Sequence, residues 1–401
     1  MKKIIVQKYG GTSVENIKKM KNIVNRVIKL YDEGHSIVLV ISAMGKTTDH
    51  LVEMAKAITE NPDKRELDML ISTGEQVSVS LISIIFKSLG YDSISLTGYQ
   101  AGIVTSSDYN KGKIADIDIS KIKKYLQEKK IVIVAGFQGI TENGDITTLG
   151  RGGSDTTAVA LAAKLQSICE IYTDVDGIYA IDPKKYKNAQ LLSEISYEEM
   201  MELSNLGAKV MEMRSVEMGK IFNVPIHIGN SVTGIIGTII KDEDQLMEKK
   251  IITGLATEHN VAMVTISDVL YQSGDIYKIF NLLSEGEINI DMISQTAPID
   301  GKINVSLSTP SLDVDSLKSV LKDYHTHKLY VDENMTKISV VGIGMIDQSG
   351  VASKLFNIFD NLGIHFKQVT TSEISISFIV NNEDSYSLIE EIAKAFNLSN
   401  N

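Results

Sequence analysis

The sequence predicts an α/β protein: a three-layer αβα domain on a mostly parallel central sheet, followed by a smaller region built from a duplicated βαββ unit. Three observations predict it. Short apolar, β-branched runs alternate with helix-period segments through the first 240 residues. The alternation stops at the charged run KDEDQLMEKK (241–250), which reads as a linker or a solvated helix. Beyond it, SGDIYKIFNLL from Ser273 returns as SGVASKLFNIF from Ser349, an offset of 76 residues.

IIVQ (4–7), IVLVIS (37–42), IVIVAG (131–136), ICEIYTD (168–174) and PIHIG (225–229) are apolar enough to be strands buried on both faces. Between the first two, Ile17, Met20, Val24, Val27, Ile28 and Tyr31 recur on one helix face, and Gly34 is a stop signal. Further helices are predicted from Val77 to Leu89, ending at Gly90, and from Thr156 to Leu165 with Ser154 or Asp155 as cap. Strand–helix alternation places helices on both sides of the sheet and ligands at the carboxyl ends of its strands. In the second region the same offset pairs Gly274 with Gly350, Phe280 with Phe356, Ile288 with Ile364 and Ile293 with Val369. KINVSLS (302–308) and ISISFIV (374–380) alternate as half-buried antiparallel strands do. Duplicated small units of this kind pair their sheets, an architecture for binding or regulation rather than catalysis.

At 401 residues, with 43% hydrophobic and 23% charged residues, the composition is that of a soluble globular protein of two or three domains. A formal net charge of −11 argues against duplex nucleic acid as a partner, which needs a basic face. The one cysteine, Cys169, lies in an apolar stretch and reads as a small buried residue; it allows no disulfide framework, so a reducing compartment is expected. No segment approaches the roughly 18 apolar residues of a membrane span. The start MKKIIVQKYGG has an apolar run of three residues before Gln7 and Lys8, too short for a signal peptide. A cytoplasmic protein that does not engage membranes is expected.

The chemistry-bearing clusters fall where strands end. KYGGTS (8–13) follows the first strand and opens a helix, so its amides and Lys8 can face a phosphate. TLGRGGSDTTA (148–158) repeats the pattern; Arg151 offers a fork of donors suited to a carboxylate, and Asp155 suits orientation of a lysine or pairing with Arg151. STGEQ (72–76) sets Glu75 before an apolar helix, as a dipole-favoured charge or a partner for a substrate ammonium. TDVDGIYAIDP (173–183) brings two acids, an aromatic suited to a base and ribose, and an Asp-Pro stop, and GAKV (207–210) adds Lys209. Each has a plainer reading as a tight turn, an omega loop or a solvated charge. There is no HExxH, CxxC pair, GxxxxGK[ST] or GxSxG, and the histidines do not cluster at metal-ligand spacing.

Together, KYGGTSV, VISAMGKTTD, STGEQ, GFQG, TLGRGGSDTTA, TDVDGIYAIDP and GAKV occur in the order and spacing of the aspartate kinase family, within the amino-acid kinase superfamily, and the chain resembles that family over essentially its whole length. The C-terminal repeat resembles its paired ACT domains, ferredoxin-like βαββαβ modules. The resemblance implies an amino-acid kinase domain over 1–248 and a regulatory region over 249–401, with modules at about 262–333 and 334–401 and residues 249–261 pairing into the second. It implies ATP-dependent phosphorylation of the side-chain carboxylate of L-aspartate. Lys8 would span the attacking carboxylate and the γ-phosphate, with Gly10, Gly11 and Thr12 supplying phosphate-facing donors. Thr48, Glu75, Phe137 and Arg151 match the aspartate site; Glu75 would hold the ammonium and Arg151 the α-carboxylate, while Gly152, Gly153 and Ser154 shape the loop and Asp155 orients the lysines. Thr173, Asp174, Tyr179, Lys184 and Lys209 match the nucleotide site. Mg2+ is expected on phosphate oxygens.

The same resemblance implies feedback by lysine, threonine or both, at Ser273, Gly274, Asp275, Asn289, Ile290, Asp291, Ser349, Gly350 and Val351, and a homodimer through the ACT modules that can extend to a tetramer. The chain departs from the family pattern at Glu212–Met213, where His-Pro is common, and at Lys184, where an arginine is common. Two other readings compete: a superfamily enzyme acting on glutamate, acetylglutamate, carbamate or UMP, and an amino-acid-sensing protein with a dead kinase domain. The paired repeat and the combination of STGE with TLGRGGSD oppose the first. The presence of Lys8, Arg151 and Asp155 opposes the second.

Overall fold

A computed structural model describes residues 3–208, 210–246, 250–272, 274–322, 328–346 and 348–400. By its contacts the chain divides into two units. The first is Met1–Tyr179 with Leu191–Ser204 and Lys209–Glu248; the second is Ala180–Gln190 with Asn205–Ala208 and Lys249–Asn401. The sequence suggests a single boundary at 248. Residues 180–190 group with the second unit because their backbone bonds there: Leu255 N–H donates to Ala180 O at 2.7 Å and Gln190 N–H to Leu398 O at 2.9 Å.

The first unit contains strands β1 (Ile4–Tyr9), β2 (Ser36–Ile41), β3 (Ser93–Leu96), β4 (Ile103–Thr105), β5 (Ile114–Ile117) and β6 (Ile131–Ala135). It continues with β7 (Gln138–Ile140), β8 (Ile146–Thr148), β9 (Ile168–Thr173), β10 (Glu194–Ser196), β11 (Ile226–Asn230) and β12 (Ile236–Lys241). Eight of these form one sheet in the order β10-β12-β11-β9-β1-β2-β6-β3, antiparallel only between β11 and β12. A second sheet, β5-β4-β7-β8, has four short strands.

The central strands are covered on both faces, which is why they read as continuous apolar runs. On one face Tyr9, Leu39 and Ile133 pack with Met20, Ile23, Val24 and Val27 of the helix Ile17–Asp32 and with Ile82 and Phe86 of the helix Thr73–Ser88. On the other lies the helix Gly153–Leu165, in contact with β1, β2 and β9. Cys169 is buried there, and burial pushes its thiol well up.

Three details differ from the sequence expectation. Ile17 is 43% exposed, and Ile23 takes its place in the core; Asn16 caps the helix by accepting from Lys19 N–H at 3.0 Å, so Ile17 falls in the solvated first turn. The Gly153–Leu165 helix is entered through Gly152 with no side-chain cap, which places Ser154 and Asp155 inside its first turn. The nearly continuous helical run Lys64–Ser88 is, by length and composition, apolar enough to cross a membrane, contrary to the expectation of no such segment. More than half of that apolar window is buried, and its second helix packs on β3 and β6, the placement of a core helix.

The second unit holds one antiparallel sheet, ordered β14 (Ile293–Gln295), β15 (Lys302–Pro310), β13 (Gly254–Leu270), β16 (Lys328–Val341), β18 (Ser375–Asn381), β17 (Gln368–Thr371). Its two long strands serve both repeats: Gly254–His259 run against Val341–Thr336, and Val264–Ser267 against Val331–Lys328. The repeat is visible in detail, since Gly274 (φ 74°) and Gly350 (φ 98°) each enter a helix, Asp275–Glu285 and Val351–Leu362, in the left-handed conformation. Ile279, Leu283 and Leu307 form a core in the first copy, whereas Phe356, Phe359, Phe366 and Phe378 cluster in the second.

Candidate active site

The carboxyl ends of β1, β2 and β6 meet the N-termini of the helices Thr73–Ser88 and Gly153–Leu165 around a cleft of about 270 Å³. Lys8, Gly10 and Gly11 line it from the first strand end, Thr48 and Glu75 from the second side, and Phe137 with Arg151–Asp155 from the third. Ser42, Ala43, Gly45 and Gly150 also line it, and sequence reasoning did not single them out. A signal existed: SAMG directly follows the buried strand β2, the same position relative to the sheet as Gly10-Gly11 after β1.

Lys8 projects from β1 onto the face covered by the helix Gly153–Leu165, where its Nζ lies 2.7 Å from Asp155 Oδ1. Both side chains are nearly buried, at 12% and 13% exposure. The contact is an ion pair by separation, although it misses the hydrogen-bond directions of that oxygen. Asp155 therefore faces Lys8 and not Arg151, which is exposed at the mouth of the cleft.

Glu75 is 3% exposed. Its Oε1 accepts the Ala43 N–H at 3.0 Å, while Oε2 is buried with no partner among the described residues. Burial pushes its carboxyl up to about 7, against the opposing pull of that amide. An ionisable oxygen buried and unpaired beside a cleft carries a desolvation cost that a cationic ligand group would relieve. The backbone around it is closely fitted. A Cβ on Gly11 would stand 2.9 Å from Ala43 O, so only glycine lets the β1 and β2 loops approach this closely. Phe137 is held at φ 70° by the Thr157 hydroxyl, which accepts its N–H at 3.2 Å, and by Leu149 N–H, which donates to its carbonyl at 2.8 Å. Strain of this kind at a non-glycine residue collects at ligand sites.

Of the expected nucleotide residues, Lys8, Gly10 and Gly11 line the cleft, and Thr12, Thr173, Asp174 and Tyr179 lie outside its lining. Gly10 N–H donates to Tyr172 O at 3.4 Å, which sets KYGG alongside the end of β9. There the Thr173 hydroxyl donates to Asp174 at 3.0 Å, and Tyr179 OH to Asp176 at 3.3 Å; Asn230 bonds the other oxygen of Asp176 at 2.8 Å. Thr12 sits in the short 3-10 turn Gly11–Ser13 and gives its carbonyl to Lys19 at 2.8 Å. Lys184 is exposed in a segment of the second unit. Lys209 lies outside the described residues. Among the described residues no three His, Cys, Asp or Glu side chains converge as a metal site.

In the second unit, Gly274 and Gly350 enter helices, Asp275 is buried in the first turn of one and Val351 in that of the other, and Ser349 is exposed. Asn289 accepts the Thr309 hydroxyl at its carbonyl at 2.8 Å, and Ile290 packs on the first-copy core. Asp291 is bound by Lys337, a fully buried lysine also 3.0 Å from Glu258. Ser273 lies outside the described residues.

Residues 3–230 match the amino acid kinase family, and residues 338–396 match an ACT domain. The chain is 45% identical over 397 residues to the aspartokinase of Geobacillus stearothermophilus, covering 99% of this chain and 98% of that protein. It is 45% identical over 401 residues to aspartokinase 2 of Bacillus subtilis, at the same coverage. Among solved structures, E. coli aspartokinase III with aspartate and ADP (R-state) superposes with a TM-score of 0.75 at 23% identity, over 98% of this chain and 99% of that one. The same enzyme with lysine and aspartate (T-state) gives 0.79 at 23% identity, with the same coverage.

Proposed function

The chain belongs to the aspartokinase family of amino acid kinases, and from that premise we propose how its residues transfer the γ-phosphoryl group of ATP to the side-chain carboxylate of L-aspartate, giving 4-phospho-L-aspartate and ADP. The attacking carboxylate is ionised at neutral pH, so the reaction needs no general base. Its demands are to bring one anion onto another and to stabilise the charge that develops. Lys8 meets both from its place between the two substrates, and Asp155 fixes its ammonium at 2.7 Å. Arg151 takes the α-carboxylate as a planar donor fork, and Thr48 and Phe137 complete the wall. Gly10, Gly11 and Thr12 face the triphosphate, and Thr173, Asp174 and Tyr179 the nucleoside.

One observation carries this reading. Glu75 Oε2 is a buried carboxylate oxygen without a partner among the described residues, beside a cleft whose other charged groups include Lys8 and Arg151. That arrangement suits a small ligand with one ammonium and two carboxylates. Mg2+ would enter with the nucleotide and be held mainly by its phosphate oxygens. The second unit is proposed to bind lysine, threonine or both as feedback signals and to join two copies of the chain in the cytoplasm. The test is ADP release with ATP and L-aspartate or L-glutamate, with the acyl phosphate trapped by hydroxylamine and each effector titrated alone and then with the other. Hydroxamate formation with aspartate alone supports the assignment; turnover with glutamate at equal efficiency overturns it.

A further inference from the structure

Asp68 is a fully buried carboxylate that none of these roles uses. It sits on the helix Lys64–Ile71. Its Oδ1 accepts the Thr148 hydroxyl at 2.6 Å, and its Oδ2 accepts the backbone N–H groups of Thr148 at 2.9 Å and Asn110 at 2.8 Å. A buried charge is costly, and three hydrogen bonds to one carboxylate are the kind of satisfaction that lets it persist.

Thr148 ends β8 and leads directly into Leu149-Gly150-Arg151. The loop is pinned again at the next residue, where Leu149 O accepts Arg214 Nη1 at 3.2 Å. Past Arg151 it turns through Gly152 at φ 67°, where a Cβ would fall 2.4 Å from the Cβ of Glu212. Arg151 itself is exposed, with left-handed glycines on both sides. The reach of its guanidinium is thus set by anchors at 148, 149 and 152, and the buried one is Asp68. Glu75 stands on the helix that follows the Asp68 helix after a single intervening residue. The α-ammonium and α-carboxylate of an amino acid share one carbon, so the groups that grip them must be held at a fixed separation.

We propose that Asp68 is a positioning residue for aspartate: through Thr148 it ties the Arg151 loop to the helical run that carries Glu75, and so sets the distance between the two groups that grip the α-carbon substituents. The inference rests on the reading of Arg151 as the carboxylate ligand. Asp68→Asn removes the charge and keeps one acceptor oxygen, so its NH2 must face either the two backbone N–H groups or the Thr148 hydroxyl, and the charge-assisted bonds are lost. It is expected to raise KM for aspartate about tenfold, the scale of a misplaced binding group, with kcat and KM for ATP changed by less than about threefold. Thr148→Val removes one hydrogen bond and should raise the same KM less, while Thr148→Ser keeps the hydroxyl and restores it. Should Asp68→Asn fail to fold, the Thr148 pair decides. Folded Asp68→Asn or Thr148→Val enzyme with unchanged KM for aspartate overturns the proposal, as does a loss spread equally over kcat and both KM values. Arg151→Ala is measured in parallel. If it leaves KM for aspartate unchanged, the reading of Arg151 falls; if it raises KM while the Asp68 and Thr148 variants do not, only the positioning role falls.

Discussion

The two halves of the catalytic unit's ligand-facing surface are built on opposite plans. On the side proposed for aspartate, Glu75 is buried with one oxygen unpartnered among the described residues, and Lys8 and Asp155 are nearly out of solvent, while Arg151 is exposed. On the side proposed for the nucleotide, the polar groups are more exposed and already bonded to one another, Thr173 to Asp174 and Tyr179 and Asn230 to Asp176. The difference follows from the ligands. Aspartate offers few atoms, so its recognition must come from a small number of strong, desolvated contacts, and leaving such a contact unmade costs far more than a solvated one. A nucleotide offers a triphosphate and a large flat base, so no single solvated side chain need carry it. Substitutions should therefore have large, parameter-specific effects on the first side and small effects on the second.

The sharpest break is Lys8→Ala. In the role proposed for it, Lys8 acts chiefly on the transition state, so its loss should fall on kcat, by roughly two to three orders of magnitude, as for removal of one preorganised donor. Coupled ADP-release kinetics at saturating substrates check this; a near-wild-type kcat would remove Lys8 from the chemistry.

Glu75→Gln comes next, and it separates function from stability. Loss of the ammonium contact should raise KM for aspartate roughly 10- to 100-fold, the range of a charged hydrogen bond. The carboxyl stands near 7 in the folded chain against 4.5 when solvated. A raised carboxyl means that the folded state holds a proton the unfolded state has released, so stability declines as pH rises from about 4.5 to about 7, and the full cost remains above that. Glutamine removes this cost. The variant without ligand should gain stability over wild type by up to about 3 kcal/mol at pH 8 and much less at pH 5, read as the midpoint of the catalytic unit's unfolding. Binding aspartate to wild type near pH 7 should release protons as Glu75 ionises against the ammonium, and calorimetry in buffers of different ionisation enthalpy would detect it. A stability difference that does not change with pH would show that Glu75 is not desolvated.

Much of this could be read from the sequence, and the gaps have physical causes. The buried strands were legible because two-sided burial demands nearly unbroken apolar runs, as in IVLVIS and IVIVAG. The sheet β5-β4-β7-β8 was not, since its strands are three or four residues long and carry no period. The helix over Val77 begins earlier, at Thr73, because packing and not propensity holds Thr73-Gly74-Glu75-Gln76 in its first turn. That shift puts Glu75 inside the helix rather than before it. Lys8 and Arg151 could be singled out because glycine and charge together at strand ends have few other uses, whereas Glu75, singled out by the glycine and charge of STGEQ, follows a helix and not a strand. Asp68 and Arg214 could not. Asp68 bonds Thr148, 80 residues away, and Asn110, 42 away; Arg214 bonds Leu149, 65 away; and ELDML and MRSVE look like ordinary amphipathic helix.

The smallest expected effect tests the other side of the comparison. Tyr179 is partly exposed, and its hydroxyl donates to Asp176 Oδ2 at 3.3 Å, a long bond at the solvent edge. Asp176 keeps its bond from Asn230 at 2.8 Å when that hydroxyl is removed. Tyr179→Phe retains the ring for stacking against a base and deletes a bond to a carboxylate, worth about 1.5–3 kcal/mol at good geometry but much less for a long bond at the solvent edge, where water replaces it. KM for ATP should therefore change by less than about threefold, with kcat and KM for aspartate unmoved. A tenfold or larger rise in KM for ATP would mean that the Tyr179–Asp176–Asn230 chain is a preorganised ligand site after all, and the two sides would then differ in exposure but not in strategy.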